Sequence, residues 1–184
     1  MSHLIPQEYK LLINAFPGTG KSHLFHDLDV LEGWYRAKAQ DIVAHAGNPA
    51  NRYLLDSDSS TYDKSAFPDN YLNDITTIYD RYPYVVMCLS THAGVLSGLQ
   101  HKGYPHTVVI PDRTLKTEYL ERYRERRSPE AFITLIDQQW DNFLTQCVDH
   151  ARQCPGARLL VLRSGEYVSD VVRELVPDSL VGMR

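Results

Sequence analysis

The stretch Asn14-Ala15-Phe16-Pro17-Gly18-Thr19-Gly20-Lys21-Ser22 decides how the chain is read. A short apolar run, Leu11-Leu12-Ile13, precedes it, and a helical pattern opens at Lys21. Strand, glycine-bearing loop, then helix is the order of a phosphate-binding loop. Glycines let the backbone turn its N–H groups toward a phosphate without Cβ clashes. The helix start adds the positive end of its dipole. In that pattern Pro17, Gly18, Thr19 and Gly20 form the cradle, and Lys21 reaches the outer phosphates. The Ser22 hydroxyl ligates Mg²⁺, and His23 follows at the edge of the site. One position departs from G-x-x-x-x-G-K-[ST]: Ala15 stands where the first glycine is usual.

Composition sets the frame. The chain has 184 residues, 43% hydrophobic and 23% charged, which suits one domain spanning 1–184 with its own core. Its formal net charge is −4, so no global electrostatic pull toward nucleic acid is expected, which weakens a DNA partner without excluding one. Cys88, Cys147 and Cys154 are an odd number without metal-type spacing and read as reduced thiols of a cytoplasmic protein. The stretch Met1–Glu8 lacks a charged and apolar leader pattern, and no apolar run approaches a membrane span, so no signal peptide and no membrane partner are expected.

Outward from the loop, residues 9–15 read as the first strand, and Lys21 to about Ala46 as helix, interrupted near Gly33. Leu24, Phe25, Leu28 and Leu31 recur there at helical spacing. Arg52–Leu55 is the second strand and runs into Asp56-Ser57-Asp58-Ser59-Ser60. An acidic tip after a strand lies at the carboxyl edge of a sheet, where ligands bind. Asp69 or Asn70 is positioned to cap a helix carrying Tyr71, Leu72, Ile75, Ile78 and Tyr79. Tyr84–Leu89 is a third, two-sided strand, followed by a helix from about Ala93 to Lys102, and His106–Ile110 is the fourth. Ser128-Pro129-Glu130 opens a long helix, with Ser128 as its cap. Arg158–Leu162 is the fifth strand, and a short helix near Val168–Leu175 closes the chain. Five apolar strands alternating with helices predict a parallel sheet covered on both faces.

Residues 113–127 stand apart. Arg113, Lys116, Arg122, Arg124, Arg126 and Arg127 face Glu118, Glu121 and Glu125, a local net charge of +3. Leu115, Tyr119, Leu120 and Tyr123 supply an apolar helix face. Arg122 and Arg126, four apart, share another.

The loop after strand one, the acidic tip after strand two and the basic segment after strand four resemble the small P-loop kinases. That group includes the adenylate-kinase-like enzymes, shikimate kinase and gluconate kinase. The combination Asp-Ser-Asp-Ser-Ser, Phe67-Pro68-Asp69-Asn70-Tyr71 and a basic lid is further similar to phage-encoded nucleotide kinases. The resemblance implies a three-layer α/β sandwich, with a five-stranded parallel sheet and a helical lid at about 113–130. It implies ATP and Mg²⁺ as cofactors. Asp56 would be the metal-side acid beside Ser22, and Asp58 the acid at the acceptor. Arg122, Arg126 and Arg127 would be lid arginines over the phosphates, with Arg113 alongside. Strand three ends at Ser90 without the aspartate of a Walker B element, which fits ATPases poorly. It suits kinases whose strand-two acid helps hold the metal.

Phosphoryl transfer asks mainly for positioning and charge neutralisation, which Lys21, Mg²⁺ and arginines supply. A phosphate acceptor needs arginines, whereas a hydroxyl acceptor gains from a carboxylate within reach of its proton. If the strand continues past Asp56, Asp58 shares its face. The reading therefore leans to a hydroxyl acceptor of nucleotide type, namely a nucleoside, a polynucleotide end or a hydroxymethylated pyrimidine in phage DNA. Catalysis would rest on Lys21, Asp58, Arg122 and Arg126. A nucleoside monophosphate kinase and a non-catalytic NTP-binding module are the alternatives. Phe67, Tyr71, Tyr119 and Tyr123 offer rings on which a base could stack. Against these stand plainer roles: Asp56 and Asp58 as a solvated turn, the arginines as an exposed face paired with glutamates, and His92, His23, His26 and Trp140 as structural residues.

Overall fold

The computed structural model describes residues 8–27 and 29–180. The expectation of no leader at residues 1–7 and the periodic position of Leu28 lie outside them. The strands are β1 (Tyr9–Ala15), β2 (Tyr35–Lys38), β3 (Tyr53–Asp56), β4 (Tyr84–Leu89), β5 (His106–Pro111) and β6 (Ala157–Leu162). The helices are α1 (Lys21–His26), α2 (Ala39–His45), α3 (Asp69–Arg81), α4 (Ala93–His101), α5 (Lys116–Glu125), α6 (Glu130–Gln153) and α7 (Val168–Leu175). All six strands pair in parallel in the order β2-β3-β4-β1-β5-β6.

Among the described residues the sheet has six strands, one more than the apolar runs predict. The extra one is β2, Tyr-Arg-Ala-Lys, in the stretch expected to be helical. It lies at the sheet edge with Tyr35 58% exposed, so it needs no apolar run to hold it. Charged residues on a short edge strand also discourage pairing with another chain. The long helix expected from Lys21 to Ala46 is instead α1, β2 and α2. It is broken where Leu31 (φ 56°) and Gly33 (φ 81°) turn left-handed. Neither Asp69 nor Asn70 caps α3: the cap position is Pro68, and Asn70 Nδ2 donates back to the Asp63 carbonyl at 3.0 Å. Nor does Ser128 cap α6, whose cap position is Pro129; its hydroxyl accepts from Arg126 Nε at 2.7 Å.

Strand order sorts the helices between the faces. From β1 the chain crosses to the far edge at β2 and then steps back in one direction through β3, β4, β5 and β6. Crossovers between parallel strands are right-handed, so the first connection lies on one face and the next four on the other. The cores follow this division. Ile13 and Ala15 pack with Leu24 and with Val168, Val171 and Val172 of α7. Leu12 packs on the other face with Ile42, Ile75 and Leu99. Val108 and Ile110 join Tyr119, Tyr123, Ile136 and Trp140 there. Connections from the neighbours β1 and β5 thus leave in opposite directions, which opens a crevice at their carboxyl ends.

Candidate phosphate-binding site

The loop Phe16–Gly20 fills that crevice. Phe16 N donates to Val109 O of β5 at 2.9 Å, and Thr19 Oγ1 to Phe16 O at 2.6 Å. Gly18 and Gly20 hold φ of 81° and 91°, a region that L side chains rarely adopt. Close packing adds to the demand. A Cβ on Gly18 would come within 2.7 Å of the Tyr123 ring, and one on Gly20 within 2.8 Å of the Tyr167 ring. The loop is therefore clamped between α5 and the segment before α7. Tyr123 Oη donates to Pro17 O at 2.7 Å, Arg122 to Gly18 O at 3.3 Å, and Val168 N to Thr19 O at 2.9 Å. Trp140 of α6 meets Phe16 edge-on at 5.5 Å.

Around this loop lies a cavity of about 930 Å³. Ala15, Pro17, Gly18, Gly20, Lys21 and Ser22 line it from the loop, Asp56 and Asp58 from the end of β3, and Ser90, Thr91 and His92 from the end of β4. Arg122 and Arg126 close it from α5, and Phe132, Ile136 and Phe143 form an apolar wall from α6. Lys21 Nζ turns under the loop and donates to Ala15 O at 2.6 Å and Phe16 O at 3.5 Å. Burial lowers the Lys21 ammonium below its ordinary range, with Asp56 and Asp58 pulling it back up and Arg126 lowering it further. Burial raises the Asp56 carboxyl above the usual range, against the attraction of Lys21. At the end of β4, burial and nearby Asp56 push the Cys88 thiol up to about 12, so it stays protonated.

Tyr71 ties the ends of β3 and β4 together beneath the acidic tip. Fully buried, it donates to Ser57 O at 2.7 Å and accepts from Ser90 N at 3.0 Å. Beside it, Asn14 Nδ2 donates to Ser90 O at 2.6 Å and joins β1 to the same corner.

Of the residues singled out in the sequence, Pro17, Gly18, Gly20, Lys21, Ser22, Asp56, Asp58, Arg122 and Arg126 meet in this cavity. Others do not. Thr19 is buried with its hydroxyl turned to Phe16 O, and contributes loop shape rather than a contact surface. His23 is exposed and stacks on Tyr167 at 5.8 Å between centroids. Arg113 points to α6, bonding Asp141 at 2.6 Å and Thr145 at 2.9 Å. Arg127 follows the end of α5 at φ 56°, exposed and outside the lining. Asp58 reaches the cavity by another route than expected. The strand stops at Asp56, and Asp58 Oδ1 accepts from Ser60 N at 2.8 Å, capping the 3-10 turn Ser59–Thr61. Tyr71, Tyr119 and Tyr123 are fully buried in packing and offer no stacking face to a base. Arg122 lies over the rings of Tyr119 and Tyr167, each at 4.7 Å, and pairs with Glu118; Arg126 lies over Tyr123 at 4.7 Å.

Three features were missed in the sequence. Lys64 lines the cavity and donates to Ser59 O, but it sits in an irregular turn without motif spacing. Tyr167 packs on the loop from far along the chain. Phe132, Ile136 and Phe143 of α6 also wall the cavity, a role that the spacing of an apolar helix face does not disclose.

Among the described residues no helix is long and apolar enough to cross a membrane. No protein-family model matches the chain, and no curated protein matches it. Among solved structures, the chain is similar to an uncharacterized protein from Eubacterium ventriosum ATCC 27560, with 12% sequence identity and a TM-score of 0.45 over 94% of this chain and 99% of that one. At that level the similarity says nothing about chemistry.

Proposed function

We propose that this chain is an ATP- and Mg²⁺-dependent phosphotransferase that moves the γ-phosphate to a hydroxyl of a nucleotide-type acceptor. The acceptor would be a nucleoside, a polynucleotide end or a hydroxymethylated pyrimidine of phage DNA. One observation carries the reading: a single cavity gathers Lys21, Ser22, Asp56, Asp58, Arg122 and Arg126 around the glycine loop. Its volume, about 930 Å³, lies at the upper end for ligand sites, with room for a donor and an acceptor together.

The residues present suit the groups this reading requires. Ser22 and Asp56 offer only hard oxygen donors, the type Mg²⁺ takes, and would hold it through few protein ligands. That ion would supply neutralising charge at the phosphates. Lys21, disfavoured as a buried cation, is stabilised in its charged form by an anion beside it. The loop N–H groups and Lys21 orient the phosphates, and Arg122 and Arg126 stabilise charge spread on the transferring group. Asp58 takes the proton of the attacking hydroxyl through the oxygen not engaged by Ser60. The acceptor O–P bond forms as the bond to the bridging oxygen breaks, and ADP leaves.

A monophosphate kinase is the second reading, favoured by one observation. Lys64 adds a further cation to the wall near Asp58, and Asp58 is already engaged as a turn cap. A labelled-ATP assay with Asp58→Asn tests the choice, run against nucleosides, mononucleotides, and DNA with normal or hydroxymethylated pyrimidines. The proposal expects label on a hydroxyl and a loss of about 10²-fold or more in the variant. Label on a mononucleotide phosphate, with little effect of Asp58→Asn, would establish the second reading. Tight Mg·ATP binding without transfer to any acceptor would leave a non-catalytic module.

A further inference from the structure

At the opposite edge of the sheet, three side chains converge that phosphoryl transfer does not use. We propose that His106, His150 and Cys154 form a binding site for Zn²⁺ or a divalent ion of the same borderline-soft class, clamping the end of α6 to the start of β5. The placement follows from local structure. His150 lies in the last turn of α6, and Cys154 is the residue that ends it, its N–H bonded to the His150 carbonyl at 2.9 Å. His106 opens β5 beside them. The segment between is fixed by backbone bonds, from Ala157 N to Cys154 O at 3.0 Å and from His106 N to Gly156 O at 3.0 Å.

The three ligand atoms all lie within 4.8 Å of one another. His106 Nε2 and His150 Nε2 are 2.8 Å apart. Around a tetrahedral zinc, donor atoms stand roughly 3.3–3.6 Å from each other, given the usual Zn–N and Zn–S lengths. Small ring rotations and a change at the Cys154 side chain span that difference. The His106 tautomer is already set. Its Nδ1 lies 2.8 Å from Tyr104 O, and a carbonyl accepts only, so Nδ1 carries the hydrogen and Nε2 the lone pair, which faces His150 Nε2. A ligating histidine is commonly held this way through its other nitrogen. His106 and Cys154 are 3% and 4% exposed, while His150 is only half-buried and leaves a way in. Two imidazoles and a thiolate favour zinc over Mg²⁺ or Ca²⁺, with water in the fourth position. The ion would be structural, because the phosphate-binding loop lies at the carboxyl ends of the strands and His106 at an amino end.

Untagged, metal-free full-length protein titrated with Co²⁺ provides the test, since cobalt reports its ligands by colour. The expected result is one tightly held equivalent with visible bands of tetrahedral cobalt and a near-ultraviolet thiolate-to-metal band, displaced by Zn²⁺ and unmoved by excess Mg²⁺. Cys154→Ser should abolish the thiolate band, and His150→Gln should weaken affinity tenfold or more. Asp56→Asn, at the other edge, should leave the spectrum unchanged. Zn²⁺ should also raise the Tm of the parent protein and not that of Cys154→Ser. No cobalt uptake by the parent protein, or uptake without a thiolate band, would overturn the proposal even if both variants fail to fold. It would mean that the two histidines only hydrogen-bond to each other.

Discussion

Gly20 combines a left-handed backbone with a tyrosine ring where its Cβ would be, whereas Gly103 has φ 70° and nothing within 4 Å. Gly103→Ala therefore bears only the conformational cost, about 1 kcal/mol. Gly20→Ala must also displace Tyr167, and its thermal unfolding should show the larger loss by at least about 1 kcal/mol. The charges beside the loop carry a different tension. Asp56 is raised in the fold, so between the ordinary carboxylate range near 4 and its raised value the unfolded chain holds fewer protons than the native one. Stability then falls as pH rises through that window. Asp56→Asn lacks this loss, and its denaturation profile should be flatter there and its Tm higher at neutral pH, while transfer drops. An unchanged slope in the variant would contradict the burial of that carboxylate. These loop residues were legible because glycine, lysine and hydroxyl each answer a local demand. Lys64 and Tyr167 were not, because their roles come only from tertiary contact. Asp58 was legible as a cavity residue but not in its geometry, since two residues past β3 the chain already turns into a 3-10 cap.

Among the elements, α5 shows how a basic helix can be packed and still line a cavity. Tyr119 and Tyr123 face inward against the loop, and the same turns set Arg122 and Arg126 over their rings and into the cavity. Tyr123→Phe keeps the packing and loses only the bond to Pro17 O, a cost of about 1 kcal/mol. Tyr71→Phe should cost more, about 1–3 kcal/mol, because it strands the Ser57 carbonyl and the Ser90 N–H at the joined ends of β3 and β4. Urea unfolding of both variants measures the order, and equal costs would show that Tyr71 is not the tie between those strands. A two-sided apolar run made β4 readable, and short apolar runs did the same for β1 and β5. By contrast, β2 was hidden: an exposed four-residue edge strand with two cations has no apolar period to read. The ends of α3 and α6 were misjudged for a related reason. Asn70 and Ser128 are good cap residues by type, yet their side chains bond to Asp63 O and Arg126 Nε instead.

Across the whole molecule, strand order does what no local pattern reveals. It sets β1 between β4 and β5 and so brings the loop, the acidic tip and the basic helix to one crevice, although they are far apart in sequence. The parallel α/β class was legible from the alternation of elements; this order was not, because pairing partners are chosen by long-range packing. The net charge of −4 also conceals the concentration of cations at the cavity, where Lys21, Lys64, Arg122 and Arg126 meet. Anion binding there should depend on salt, and raising ionic strength should weaken nucleotide affinity. The most direct measurement compares parent protein and Lys21→Ala for Mg·ATP binding by calorimetry and for transfer of labelled γ-phosphate across the acceptor panel. The account predicts that the parent binds Mg·ATP and labels a nucleotide-type hydroxyl, while Lys21→Ala folds normally, binds far more weakly and transfers nothing measurable. Near-normal binding and transfer by Lys21→Ala would contradict the assignment of the loop as the phosphate site, and with it the proposed function.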